Sequence, residues 1–315
     1  MIEQFKKDVD NGLSAEKKHL PSKYFYDKKG DAFFVKIMNT PEYYLTRAEM
    51  DIFKNQTHDI IKALDLKPNT YFELIELGAG DGTKTKELLK VLSEEAYQFD
   101  YFPIDISQNA LDQLEVSLNK ELPNVSVKKQ QGDYFDVLAS LKNSTIPKVI
   151  LFLGSNIGNM NDKQAGEFIY KLGANLTRGD YLFLGLDLKK SSSIILPAYN
   201  DKQGITRDFN LNLLERINRE LGGNFDIAQF KHIPEYNEKE GVAKSYIQSK
   251  IDQKVMISSI KKTYFFKKGE YIHTEISRKY DDTIVEGLIK NTDFRITQKL
   301  MDTQKLFADY ILKRF

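Results

Sequence analysis

An alternation of strand and helix patterns that begins near residue 70 restricts this chain more than any other feature. "TYFELIELG" reads as a strand, "TKTKELLKVLSEE" has helical apolar spacing, and "FDYFPIDIS" reads as a second strand. "QNALDQLEVSLNKEL" follows as a helix with Ser107 as its N-cap. A weaker strand lies in "VSVKKQQGDYFD". The run "VILFLGSNIGN" (Val149 to Asn159) empties an apolar strand into a loop of small residues and amides. A helix near "DKQAGEFIYKLGANL" and a strand in "DYLFLGLDL" complete the series. Strands separated by helices of this length predict a parallel, doubly wound α/β sheet.

The rhythm breaks after about residue 195. "PAYNDKQGITRDFNLNLLERINREL" reads as loop then helix, and Phe225 to Tyr280 is strand-rich. In "TYFFKKGEYIHTEIS" the pair Lys268-Gly269 is expected to turn a hairpin between two alternating runs. "QKLMDTQKLFADYILKRF" ends in an apolar strand that can return to the first sheet. The domains are therefore drawn as 58–196 plus 282–315 for the sheet, and 1–57 plus 197–281 for a smaller α+β domain.

Composition narrows the chemistry. The 315 residues carry a net charge of +1, so there is no bulk basic field for nucleic acid or an anionic membrane. The absence of cysteine excludes disulfides, thiolate zinc sites and cysteine nucleophiles, and four histidines argue against a histidine-rich metal site. No apolar run reaches the roughly 18 residues of a membrane helix, and the N-terminus has no signal-peptide pattern. The expectation is a cytoplasmic monomer acting on a small molecule without a metal.

"FELIELGAGDGTKT" is the strongest local signal. Gly78, Gly80 and Gly82 lie between the first strand and its helix, where bare backbone lets a ligand approach. Their G-x-G-x-G spacing matches neither a dinucleotide fingerprint nor a P-loop. Glu76 and Asp81 would repel a pyrophosphate but suit a cofactor with a positive charge and an amino group. Asp105, ending the second strand, can take both hydroxyls of a ribose. Asp133 and Tyr134 follow the third strand, where an adenine would lie. Together these favour S-adenosylmethionine over a nicotinamide cofactor.

"YFYDKKGDAFFVKIMNTPEYYLTRAE" (Tyr24 to Glu49), "ELGAGDGTKTKELL", "FPIDIS", "FLGSNIGN", "AYNDKQGITRDFNLNLLERINREL" and "HTEIS" occur in this order. In this the chain resembles the histidine-specific methyltransferases of ergothioneine biosynthesis, from about Tyr24 to about Tyr280. The resemblance implies a class I (Rossmann-like) methyltransferase sheet with a second, smaller substrate domain. It also implies trimethylation of the α-amine of L-histidine by S-adenosylmethionine, giving hercynine.

Residue by residue, the resemblance puts Gly154 and Asn159 on the substrate side and Tyr199 at the substrate carboxylate. Tyr26 and Tyr43 fall near the amine, and Glu275 and Ser277 read the imidazole. Gly78, Asp105, Asp133 and Tyr134 match the cofactor side, with Gly80 in the same loop and Lys84 at the cofactor's carboxylate end. By pattern alone, Tyr43 and Tyr44 are core aromatics, and Glu275 and Ser277 an ordinary polar strand face. Two apart on a strand, Glu275 and Ser277 point to one side. The sequence departs from the family pattern at Asp31, Leu45, Leu153 and Asn156, and at Ser245, where a larger apolar residue is expected against the ring. The alternatives are the same chemistry on another aromatic amino acid, or cofactor binding without catalysis.

Overall fold

The computed structural model describes residues 2–132, 134–141 and 144–315. The chain divides into two compact units, Leu45–Lys189 with Lys279–Phe315 and Met1–Tyr44 with Lys190–Arg278. In chain order the larger unit holds β1 (Phe72–Leu77), β2 (Phe99–Asp105), β3 (Ser126–Val127), β4 (Gln130–Gln131), β5 (Lys148–Phe152) and β6 (Tyr181–Asp187). The smaller unit holds β7 (Phe230–Asn237), β8 (Val242–Ser249), β9 (Gln253–Ile257), β10 (Lys262–Phe266) and β11 (Tyr271–Arg278). The chain then adds β12 (Phe294–Met301) and β13 (Phe307–Arg314) to the larger unit.

The larger unit is built on a sheet of order β12-β13-β6-β5-β1-β2-β3, with β4 also on β2. From β6 to β2 the strands are parallel. The C-terminal strand does return to this sheet: β13 runs antiparallel between β6 and β12. β1, β5 and β6 are buried at every residue, as expected of strands covered on both faces. β2 lies on one side of β1 and β5 on the other. The chain thus reverses direction across the sheet at the carboxyl ends of β1 and β5, which is where ligands bind in open α/β sheets.

The boundaries differ from the sequence expectation. Helix Leu45–Asn55 belongs to the larger unit because Leu45, Ala48, Ile52 and Phe53 form a buried stripe. Phe53 meets Phe183 of β6 edge-on at 5.6 Å. Gln56 Nε2 donates to the Met301 carbonyl of β12 at 2.7 Å. Residues 190–196 instead join the smaller unit, where Tyr236 donates to the Lys190 carbonyl at 3.1 Å and the Ser192 amide donates to Glu238 at 2.9 Å.

In the smaller unit β11-β8-β7 form one antiparallel sheet and β10-β9 a two-stranded ribbon. Their apolar faces close on helices Ile205–Leu221 and Ile2–Ser14 through Phe5, Val9, Leu213, Ile217, Ile247 and Phe266. The expected hairpin at Lys268-Gly269 is corrected. The chain turns there, with Gly269 at φ +86°, but β10 pairs with β9 and β11 with β8. A tight turn from Ser258 to Lys261 closes β9 on β10 first, with the Lys261 amide on the Ser258 carbonyl at 3.1 Å. Among the described residues no helix is long and apolar enough to cross a membrane.

Two acids, Glu73 and Glu76, are buried in the central strand. Glu76 of β1 is buried and accepts hydrogen bonds from Tyr101 and, at 2.9 Å, from Thr85 Oγ1. Burial nonetheless pushes its pKa up from 4.5 to about 7. Between those values the folded protein keeps a proton that the unfolded chain has lost, so this group lowers stability as pH rises through that window. Urea unfolding at pH 4.5 and pH 8 is expected to show the native protein losing on the order of 3 kcal/mol more than Glu76→Gln. Equal losses would contradict the assignment.

Candidate active site

The carboxyl ends of β1, β2 and β5 gather most of the cofactor-side residues expected from the sequence. After Leu77 the Gly78 and Ala79 amides both donate to the Ile104 carbonyl, at 2.8 and 3.3 Å, which folds the loop over the end of β2. Gly78 has φ +72° and Gly80 φ +55°. A Cβ on Gly78 would lie 2.8 Å from the Tyr134 hydroxyl, whereas one on Gly80 would meet nothing within 4 Å. The first glycine is needed for close approach of Tyr134, and the second leaves its backbone open.

Asp105 is half-buried at the tip of β2. One carboxylate oxygen accepts from the Ser107 amide at 2.9 Å and the other from the Gly80 amide at 3.3 Å. The acid is thus fixed by backbone at the start of helix Gln108–Glu121, which Ser107 caps through the Ala110 amide at 3.2 Å. Asp133 lies outside the described residues.

The opening of the loop after β5 is equally constrained. Gly154 at φ +70° and Ser155 at φ +56° are consecutive left-handed residues. Ser155 Oγ accepts from the Asp187 amide at 3.0 Å, which offsets the strain of a side chain in that region. Gly154 faces the β1 loop: its Cβ position is 3.6 Å from Lys84 Nζ and 3.8 Å from the Asn156 side chain. Asn159 ends the short 3-10 turn Asn156–Asn159 and is exposed.

Lys84 carries the site's cation. Burial pulls its pKa down, but the charge and hydrogen bond of Glu49 outweigh this and hold it above the ordinary lysine value. Glu49 was not singled out by sequence reasoning, and Asn156 only as a departure from the family pattern. The signal for Glu49 was available: it is the one charged residue on the buried stripe of its helix.

The remaining expected residues lie in the smaller unit. Glu275 stands opposite Ser245 across β11 and β8, and Ser245 Oγ donates to its Oε2 at 2.9 Å. A bulge between His273 and Glu275 re-aims the strand just before the acid. Ser245 therefore orients Glu275, a role its departure from the family pattern did not suggest. Two residues on, Ser277 Oγ accepts from the Tyr199 hydroxyl at 2.7 Å. Tyr199 is fixed at the end of helix Ser192–Ala198, and its carbonyl faces His232 Nε2 at 2.9 Å. Burial lowers the His232 pKa.

Tyr26 is held between a short 3-10 turn, Ser22–Phe25, and helix Lys28–Met38, whose N-cap Asp27 accepts from the Gly30 amide at 2.7 Å and from Asn212 at 2.9 Å. Its ring packs edge-on against Phe34 and Phe209 at 5.6 and 5.8 Å, and Phe34 in turn meets Tyr43 at 6.1 Å. Although 44% of its surface is exposed, the surrounding protein desolvates the phenol. That desolvation, with the nearby charges of Glu275 and Asp31, raises its pKa above the usual tyrosine range.

A glycine loop at the switch point, an acid at the end of the next strand and an antiparallel penultimate strand define a class I methyltransferase. A model of the family described as histidine-specific methyltransferase, SAM-dependent, matches residues 5–314. The histidine N-alpha-methyltransferase of Mycolicibacterium smegmatis is 33% identical over 88% of this chain and 85% of its own. The ergothioneine biosynthesis protein 1 of Schizosaccharomyces pombe is 30% identical over 96% of this chain and 40% of its own. An L-tryptophan methyltransferase of Psilocybe serbica is 28% identical over 86% of this chain and 83% of its own. This chain belongs to the histidine-specific, S-adenosylmethionine-dependent methyltransferase family, and is an N-methyltransferase.

The residues present fit S-adenosylmethionine: bare backbone at Gly80, a fixed carboxylate at Asp105 and the ammonium of Lys84. Gly78→Ala is expected to weaken binding of S-adenosylhomocysteine about tenfold or more by calorimetry, because its Cβ would displace Tyr134. Gly166→Ala, with nothing within 4 Å of its Cβ, is the control expected to bind as the native protein does.

Proposed function

We propose that this enzyme methylates the α-amine of free L-histidine three times, releasing hercynine. The observation that carries the reading is the pair Glu275 and Ser277 on β11, a carboxylate and a hydroxyl each held by a second side chain, Ser245 and Tyr199. An imidazole has two ring nitrogens, and a carboxylate and a hydroxyl two residues apart answer one each. A substrate without those nitrogens cannot answer the carboxylate's other acceptor positions beside the Ser245 bond, which penalises it.

S-adenosylmethionine supplies a methyl group on a positively charged sulfur. In this reading Gly78, Gly80, Asp105, Asp133, Tyr134 and Lys84 hold it, and the protein's task is then orientation. Tyr199 takes the histidine carboxylate by turning its one hydroxyl proton from Ser277 to the substrate, with Gly154 and Asn159 also on the substrate side. Tyr26 and Tyr43 position the amine. A phenol whose pKa is raised by burial stays protonated at neutral pH, so Tyr26 orients the nitrogen as a hydrogen-bond partner, and the proton lost by the amine before each methyl transfer passes to water while S-adenosylhomocysteine leaves. The enzyme is taken to work as a cytoplasmic monomer without a nucleic-acid partner, in keeping with its net charge of +1.

Glu275→Ala is expected to lower kcat/KM for histidine about a hundredfold or more while leaving S-adenosylhomocysteine affinity unchanged. If Glu275→Ala still methylates histidine at the native rate, the ring-reading role is wrong. The same variant assayed with tryptophan tests the competing substrate. Native turnover of tryptophan that survives the substitution would favour an apolar aromatic amino acid instead.

A further inference from the structure

The larger unit contains a charge cluster in which Lys84 meets two acids, Glu49 and Asp309, that have no part in the proposed function. Glu49 is fully buried on helix Leu45–Asn55. Its two oxygens accept from the Gly154 amide at 2.9 and 3.0 Å, and Oε2 also accepts from Lys84 Nζ. One carboxylate thereby joins the loop after β1 to the loop after β5. Room for it comes from Gly185 of β6, where a Cβ would sit 2.1 Å from Glu49 Oε1.

Behind it stands Asp309 of β13, paired in register with Gly185. A Cβ on Gly185 would also be 3.0 Å from Asp309 Oδ1. Among the described residues neither carboxyl oxygen of Asp309 has a hydrogen-bond partner, and the side chain is fully buried. Two bare carboxylates there would be prohibitive. Burial, and after it the charge of Glu49, push the Asp309 pKa well above the ordinary range, which favours its neutral form there.

We propose that Glu49 is a positioning residue for the cofactor's amino-acid tail, clamping Lys84 and the Gly154 amide so that the ammonium is already in place when the tail arrives. The inference rests on the reading that Lys84 takes the tail's carboxylate. Lys84 has three N–H donors and gives one to Glu49, so a ligand need not displace the clamp. Without the clamp, ordering a four-carbon side chain and desolvating its charge would fall on ligand binding.

The test is calorimetric binding of two ligands to the whole protein. S-adenosylhomocysteine has the amino-acid tail, and 5′-methylthioadenosine lacks it. Glu49→Leu is expected to weaken S-adenosylhomocysteine about tenfold and 5′-methylthioadenosine less than about twofold. Glu49→Gln keeps the shape and one acceptor oxygen but loses the second acceptor and the charge that strengthens the Lys84 bond, and is expected to give about a threefold loss confined to the tail. It carries the test if the leucine variant does not fold.

Loss of both ligands alike in either variant would mean a general structural role and overturn the proposal. So would a Glu49→Gln protein that binds both ligands as the native one does. Lys84→Met separates the two claims. If it leaves S-adenosylhomocysteine affinity intact, the tail-binding reading of Lys84 fails. If it weakens the tail selectively while the Glu49 variants do not, only the clamp fails.

Discussion

Carboxylates inside a parallel sheet must be answered by donors, and the carboxyl edge of this sheet is organised by that requirement. Glu76, Glu49 and Asp187 are all buried within a few residues of the ends of β1, β5 and β6 or in the helix beside them. Each has its own answer. Glu76 takes two hydroxyls, Glu49 takes an ammonium and a backbone amide, and Asp187 pairs at 2.7 Å with Lys279, both fully buried. Removing one member of such a pair strands the other in a medium that solvates it poorly, so breaking a pair is costly. Glycine appears where that arrangement needs space. Gly78 admits Tyr134, and Gly185 admits Glu49.

The chemistry proposed for the enzyme needs little from the protein beyond placement. The larger unit offers bare backbone, a fixed acid and a held cation. The smaller unit offers polar side chains that are themselves held: Glu275 by Ser245, Ser277 by Tyr199, and Tyr26 by its aromatic neighbours. Groups already in position lose less entropy when a ligand binds. In the proposed reading, selectivity for a ring with two nitrogens would come from the acceptor positions of Glu275 that Ser245 does not fill, whereas an apolar contact would discriminate only weakly.

Much of this was legible in the sequence because it depends on local periodicity. The strands from β1 to β6, the Ser107 cap and the glycine loop all come from short-range patterns. What was not legible depends on pairing across long separations. The apolar run of β13 announced a strand but not its place between β6 and β12. β10 and β11 alternate as a hairpin should, yet the tighter turn at Ser258–Lys261 takes β10 first. The bulge ahead of Glu275 leaves no trace in the alternation, and only the register with Ser245 reveals it. Ser245 looked like a loss of ring contact when read alone; across the sheet from Glu275 it is that acid's donor. The family resemblance supplied the candidate site in the smaller unit, since Glu275, Ser277 and Tyr199 are unremarkable in pattern.

The central claim is that the enzyme reads free histidine and methylates its α-amine. Conversion of S-adenosylmethionine to S-adenosylhomocysteine, measured with each free amino acid in turn and with product masses recorded, addresses it most directly. The account predicts turnover with histidine alone, ending at a product three methyl groups heavier. Turnover with a different amino acid, or none across the whole set with the cofactor still bound, would contradict it.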